Sequence, residues 1–168
     1  PAPRIIPIQK LPIDPEERAR FRPAPRKFVG FDGVSNTGWV PPDCTLAVGP
    51  NHVLQTVNMK VAWYDKAGVL QYSNDLGDAG NPGLFEPLGA MGFTFDPKCF
   101  FDDIDDRFVV VALEVYYPNE SWIDIAISDD DDPNGTWYKY RTDSVTWSGS
   151  SSYWVDYPGA GYDARAIY

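Results

Sequence analysis

The sequence has no run of about 18 apolar residues, the minimum length of a transmembrane helix, so no membrane span is predicted. Basic residues are also few. Against 24 Asp and Glu there are 14 Lys and Arg, which gives a formal net charge of −10 at pH 7. Because an acidic surface repels phosphate backbones, nucleic acid is not expected as a partner.

Residues that bind zinc are scarce as well. The chain has two cysteines, Cys44 and Cys99, one histidine, His52, and no Cys-x-x-Cys motif. A zinc finger or ribbon needs four Cys or His ligands, so the ligand count excludes a site of that kind. His52 follows a predicted turn and has no obvious catalytic partner, so we interpret it as a structural or surface residue.

Aromatic and β-branched residues dominate what remains. Of the 168 residues 43% are hydrophobic and 15% aromatic, enough for one domain with a real core. Residues 1–27 differ from the rest because they are rich in proline, which predicts an extended N-terminal arm or linker, and their texture resembles the start of a processed product. From residue 28 to residue 168 short apolar runs alternate with Gly, Pro, Asn and Asp clusters. This pattern predicts an all-β domain without long helices.

The apolar runs predict the following strands, with turn-forming residues between them. They are Leu46–Val48, Val53–Asn58, Val61–Tyr64, Val69–Ser73, Cys99–Phe101, Arg107–Tyr116, Trp122–Ser128, Trp137–Tyr140 and Ala164–Tyr168.

A faint internal repeat organises these strands. Three similar segments begin at Asp43, Asp96 and Asp156, and in each an Asp precedes a short strand, a turn and a second strand. A period of about 50 residues that holds four short strands is typical of a β-propeller blade. The sequence therefore predicts a partial β-propeller, with full four-stranded blades at about 43–75 and 96–143 and the start of a third. Since propellers close with about four to eight blades, we expect the remaining blades elsewhere or from other copies of the chain.

The segments PPDCTLAVGPNHVLQTVN, FDPKCFFDDIDDRFVVVALE, ISDDDDPNGTWYKY and DYPGAGYDARAIY resemble, in that order, the N-terminal blades of large exported bacterial propeller-like proteins of poorly described function. The resemblance covers residues 29–168. It implies a propeller fold and export, and thus a secreted or cell-surface location. It brings no known catalytic apparatus.

The repeat also gives the cysteines a position. Cys44 and Cys99 each lie at the start of the first strand of a blade, and the innermost strands of consecutive blades are neighbours. A Cys44–Cys99 disulfide would then join the two blades and contribute up to about 4 kcal/mol. Two buried free thiols are the alternative.

Two acidic clusters suggest calcium as a cofactor. Asp130, Asp132 and Asn134 match the opening of a calcium loop, but Arg141 stands where an EF-hand has its bidentate Glu, so an EF-hand is excluded. Residues 128–137 also resemble a stretched Asp-box hairpin, in which Asp and Ser bind turn amides and the Trp packs between sheets. A structural turn and a calcium site are the two interpretations.

The second cluster contains Asp102, Asp103 and Asp106 and is followed by Arg107. It lies at the predicted turn between the first two strands of blade two. A metal site on the propeller face and a hairpin turn with an Arg–Asp pair both fit this pattern.

Candidate ligand-binding residues come from the repeat and from the aromatic content. Asp43, Asp96 and Asp156 occupy equivalent repeat positions near one mouth of the predicted channel, where they could bind a ligand or cap backbone amides. Trp147 and Trp154 flank a serine-rich segment that fits either a glycan platform or core packing.

The function expected from these features is extracellular binding or a structural role at the cell surface or matrix, with calcium as a stabiliser and a glycan as a ligand. The alternative is a polysaccharide-acting enzyme, a glycoside hydrolase or lyase, for which fold analogy is the only reason. Asn119 and Asn134 begin glycosylation sequons, which matter if the source glycosylates its exported proteins.

Overall fold

The computed structural model describes residues 30–77, 83–90, 93–116 and 120–168. The predicted arm at residues 1–27 and the sequon residue Asn119 lie outside these ranges. In the described residues the elements are β-strands and one 3-10 turn, Glu86–Leu88, which confirms the all-β prediction. None of the described residues forms a helix with the length and apolar character needed to cross a membrane.

Sheet 1 is an antiparallel meander of four strands in chain order. Its strands are β1 (Thr45–Val48), β2 (His52–Val57), β3 (Lys60–Asp65) and β4 (Leu70–Asp75). The strands β2 and β3 are joined at Asn58 and Met59, and Met59 has a left-handed φ of 69°. These bounds agree closely with the sequence prediction for blade one.

Sheet 2 repeats this meander with longer strands. Its strands are β5 (Phe93–Asp102), β6 (Arg107–Tyr116), β7 (Glu120–Ser128) and β8 (Trp137–Asp143). A short hairpin, β9 (Thr146–Ser148) and β10 (Ser151–Tyr153), follows it. Antiparallel four-stranded sheets are thus established, whereas no closed barrel or propeller is formed by the described residues.

Three details of the predicted strands were wrong. The strand β5 begins at Phe93 rather than Cys99, because an irregularity between Phe95 and Lys98 accommodates a proline that the prediction placed outside the strand. The segment with Trp147 is a hairpin rather than a loop. The predicted strand Ala164–Tyr168 is mostly a turn, since Asp163 Oδ1 accepts hydrogen bonds from the backbone N–H groups of Arg165 and Ala166.

The main core lies between the two sheets. Side chains of alternate strand residues point to the same face, and Ala47, Leu54 and Trp63 of sheet 1 belong to the same buried cluster as Phe108 and Val110 of sheet 2. The inner strands β1 and β2 contact β5. Each sheet therefore buries one face against its neighbour.

The register of the hairpins supports the internal repeat. Val48 pairs with Val53 in sheet 1, and Phe101 pairs with Phe108 in sheet 2. In the third segment Gly161 and Tyr168 exchange two backbone hydrogen bonds of 3.0 and 2.8 Å. All three segments thus open with a hairpin at the same distance from the repeat Asp.

The expected Cys44–Cys99 disulfide is not formed, and both cysteines are free thiols. Cys99 is buried, with its Sγ 3.2 Å from Oγ1 of Thr45 and 3.8 Å from Oγ1 of Thr56. Cys44 is exposed. Because successive residues of an extended chain face opposite sides, Thr45 takes the inward position that the prediction assigned to Cys44.

We predict that Leu54→Ala lowers the free energy of unfolding by about 2–5 kcal/mol, because it empties a position with 0% exposure in the inter-sheet core. Leu46→Ala is the matched control, since Leu46 lies on the neighbouring strand with 58% exposure and should change stability by less than about 0.5 kcal/mol. Urea unfolding measures both. Equal losses in the two variants would contradict the assignment of the core face.

Candidate functional site

The three repeat aspartates meet at one place. Asp43 precedes β1, Asp96 lies within β5, and Asp156 follows β10. Side-chain hydrogen bonding connects Asp96 to both Asp43 and Asp156. All three line one cavity of about 340 Å³. The sequence prediction placed these residues near each other, and the structure brings them into direct contact.

Asn58 holds two of these aspartates in place. Its Nδ2 donates to Oδ2 of Asp43 over 3.1 Å, and its Oδ1 accepts a 3.0 Å hydrogen bond from the backbone N–H of Asp96. Asn58 is buried at the turn after β2. One side chain therefore connects the entry of sheet 1 to the first strand of sheet 2.

The backbone at these two aspartates is unusual. Asp43 and Asp96 have φ values of 44° and 48°, in the left-handed region. Apart from glycine, Asp and Asn tolerate this conformation best because their short side chains can bond locally. This requirement is one physical reason for an Asp at the start of the first two repeats, in addition to any ligand.

The carboxyl cluster shifts the titration of Asp96. Burial is the main cause that raises the pKa of Asp96 from 3.8 to about 7, and hydrogen bonding to Asp156 and the charges of Asp43 and Asp156 contribute to the same rise. The Asp96 carboxyl therefore keeps its proton up to about pH 7. Near neutral pH the cavity can therefore donate and accept hydrogen bonds.

Aromatic rings form the other wall of the cavity. Phe93, Phe95, Trp154 and Tyr157 line it together with the carboxyls. The rings of Phe95 and Trp154 meet edge to face at 5.5 Å, and Lys98 lies 3.9 Å from the centre of the Tyr157 ring. The Lys98 ammonium also hydrogen-bonds the Tyr157 hydroxyl. Trp154 thus lies in the same cavity as the repeat aspartates, which the sequence analysis treated as a separate candidate site.

Trp147 does not line this cavity. It lies on β9, and its side chain is 61% exposed. The predicted pairing of Trp147 and Trp154 in one platform is therefore not supported by the geometry.

The acidic stretch 128–137 forms the turn between β7 and β8. Asp129 accepts a hydrogen bond from the Thr136 amide, Asp130 accepts one from Asp132, and Asp132 accepts one from Asn134, at 2.8 to 3.0 Å. These side chains thus satisfy the amides of their own turn. These hydrogen bonds match the Asp-box interpretation, and the calcium site stays a prediction.

The same turn connects the two sheets. Oδ1 of Asn134 accepts a 2.9 Å hydrogen bond from the Trp63 indole, and its Nδ2 donates to Gln71 over 2.7 Å. His52 Nε2 lies 3.7 Å from Asp132. A glycan on Asn134 would use the nitrogen that makes the Gln71 contact, and its glycosylation stays a prediction.

The second acidic cluster is also a turn. Asp102 is buried and accepts hydrogen bonds from the amides of Ile104 and Asp105 at 2.9 and 3.3 Å. Asp103 accepts a 2.8 Å bond from the Tyr162 hydroxyl, and Asp106 has a φ of 52°. The three residues of the metal prediction are therefore engaged separately.

Within the described residues, no group of three or more His, Cys, Asp or Glu has the arrangement of a metal site. Such a group is therefore formed neither around the candidate ligands Asp130, Asp132 and Asn134 nor by Asp102, Asp103 and Asp106. Calcium stays a prediction of the sequence pattern, for which the structure provides no coordination geometry.

A buried charged cluster escaped the sequence analysis. Arg141 on β8 donates from Nε to Oδ1 of Asp124 over 2.9 Å and from Nη2 to Oε2 of Glu114. Burial raises the pKa of Asp124 to about 6, against the opposing effect of Arg141. A charged residue in each of two apolar strands was the available signal, because unpaired charges are rarely buried.

Asn58 and the phenylalanines of the cavity were also missed. Asn58 reads in sequence as an ordinary turn residue, and Phe93 and Phe95 precede the predicted start of β5. Comparison with family models, with curated proteins and with solved structures found no match to this chain.

A chelator tests the calcium prediction directly. We expect the same melting temperature in excess EDTA and in excess calcium, because the acidic turn side chains already bind turn amides. Magnesium serves as the control for ionic strength. A higher melting temperature in calcium alone would restore the calcium site.

The Asp96 carboxyl predicts a pH dependence of stability. Because folding raises its pKa from 3.8 to about 7, the folded chain binds more protons than the unfolded chain in this range, and stability falls as pH rises through it. Because the pKa of Asp124 is raised to about 6, this residue also makes stability fall as the pH rises to about 6. Asp96→Asn should therefore flatten the fall in melting temperature over the range from the ordinary pKa of 3.8 to about pH 7.

Asp105→Asn is the matched control, since Asp105 is an exposed residue of the β5–β6 turn. It should leave the pH profile of the melting temperature unchanged. Parallel profiles for the wild type and Asp96→Asn would contradict the raised pKa of Asp96.

Proposed function

We propose that the chain forms consecutive blades of a β-propeller that acts outside the cell as a glycan-binding component of a surface or matrix. The observation that carries this proposal is the meeting of the repeat aspartates and Trp154 in one cavity. Export rests on the family resemblance of the sequence.

Two structural features support the propeller. Sheets 1 and 2 are four-stranded meanders that stack face to face, with the inner strands β1 and β5 in contact. The hairpin at Gly161 and Tyr168 repeats the opening of both sheets. Phe100 of β5 stacks on Tyr162 at 5.2 Å, so the third segment lies on the free face of sheet 2. Further blades, from the same protein or from other copies, would continue this stacking.

The chemistry of the cavity supports a carbohydrate. Aromatic rings offer flat apolar surfaces, and a few convergent polar groups fix the orientation of a ligand. Here Trp154 and Phe93 supply the rings, and Asp43, Asp96 and Asp156 supply the hydrogen-bonding groups. A sugar presents both an apolar ring face and several hydroxyls, so it matches both walls.

Hydrogen bonding between the carboxyls favours glycan binding over glycoside hydrolysis. A retaining glycosidase separates its two carboxyls by about 5–5.5 Å, and an inverting one by more. Asp96 instead hydrogen-bonds directly to Asp156 and Asp43. The enzyme alternative keeps one supporting observation, the pKa of about 7 at Asp96, which suits a general acid or base near neutral pH.

A glycan array tests the proposal, with Asp156→Asn and Trp154→Ala as the site variants. We expect the wild type to bind a subset of neutral glycans and each variant to lose roughly tenfold or more in affinity, as truncation of an aromatic anchor does. Trp147→Ala is the matched control, because that tryptophan is exposed outside the cavity. Absence of glycan binding by the wild type would overturn the proposal.

Release of reducing ends from any bound polysaccharide separates the two functions. Release that disappears in Asp96→Asn would establish the enzyme. Because the carboxyls hydrogen-bond to one another, we expect the polysaccharide to bind without release of reducing ends.

A further inference from the structure

A second cavity lies beside the first. Its volume is about 630 Å³, and it is bounded by residues 33–37, Trp39 and the outer face of sheet 1, including Lys60, Tyr64 and Asp75. None of the three repeat aspartates lines this second cavity. Its lining is mixed, with amide, hydroxyl and charged groups around two aromatic rings.

The wall formed by residues 31–37 is fixed to the sheet. Phe31 packs on Tyr64 with ring centroids 5.2 Å apart, and the amide of Val34 donates to Oε1 of Gln55 over 2.8 Å. The Thr37 hydroxyl donates to the backbone oxygen of Asn58 over 3.2 Å. The cavity is therefore built by specific contacts.

The two cavities share their boundary. Asn58 lines the second cavity and holds Asp43 and Asp96 in the first. Trp39 also lines the second cavity, and its ring lies 4.9 Å from that of Phe93, which lines the first. A ligand that occupies the carboxylate cavity thus has Trp39 next to it.

Contacting rings continue along this boundary. Phe93 stacks on Phe95 at 5.2 Å, and Phe95 meets Trp154 at 5.5 Å. Both end members of the series are accessible, because Trp39 and Trp154 are each 42% exposed. The series therefore presents an accessible indole beside each cavity.

We infer that the site takes a linear chain of neutral sugar residues that occupies both cavities at once, with Trp39 as a second stacking surface. This rests on the proposed glycan binding and adds its ligand class, an oligosaccharide or polysaccharide rather than a single sugar. A single ring would leave one of the two cavities empty.

The charges favour a neutral chain. The first cavity carries three aspartates, and the chain as a whole has a net charge of −10. In the second cavity the Lys60 ammonium lies 3.3 Å from Asp75, so its charge is compensated. Uronic or sulfated sugars would meet uncompensated carboxylates and bind more weakly.

Calorimetric titration with cello-, xylo- and manno-oligosaccharides, from disaccharide to hexasaccharide, tests the inference. We expect affinity to rise with length in at least one series. Trp39→Ala should remove this gain, roughly tenfold for the hexasaccharide, and weaken disaccharide binding much less. Trp147→Ala is the control, and oligogalacturonides form the charged arm.

A second variant tests the same inference if Trp39→Ala fails to fold. Ser35 is exposed and lines the second cavity, so Ser35→Trp should block it and remove the same length dependence. Binding that does not depend on length, or equal losses for short and long ligands, would overturn the inference while the proposed function stands. Failure of all three neutral series to bind would overturn both, and stronger binding of oligogalacturonides would overturn the neutral chain.

Discussion

The site depends on one buried amide. Asn58 donates to Asp43 and accepts from the backbone of Asp96, so it fixes two aspartates with left-handed backbones that belong to different sheets. The position of Asn58 follows in turn from the tight connection between β2 and β3. A local turn in sheet 1 thereby fixes the position of Asp96 within the first strand of sheet 2. The inter-sheet core buries the faces that this placement brings together.

The chemistry of the cavity follows from this placement. Burial, together with hydrogen bonding to Asp156 and the charges of Asp43 and Asp156, raises the pKa of Asp96 to about 7. A wall of aromatic rings opposite the carboxyls completes an environment with both apolar surfaces and hydrogen-bonding groups. Such a pair of walls suits a polyhydroxylated ligand, and the contact between Trp39 and Phe93 extends it toward the second cavity.

The sequence predicted the strands of both sheets because hydrophobic alternation and turn residues are local signals. The repeat also predicted that Asp43, Asp96 and Asp156 are equivalent. The partners of those residues depend on which face a side chain takes in the folded chain, and this explains the errors. Thr45 rather than Cys44 faces Cys99, and the acidic side chains of the turn 128–137 bind their own amides. The contacts of Asn58 and the pairing of Asp124 with Arg141 arise across strands, so no short stretch of sequence reveals them.

The direct test of this account is a carboxyl-detected NMR titration of the aspartates in the folded chain. The cluster predicts that Asp96 titrates at about pH 7. A single transition of Asp96 near its ordinary value of 3.8 would show that the three carboxyls do not meet, and would contradict the account.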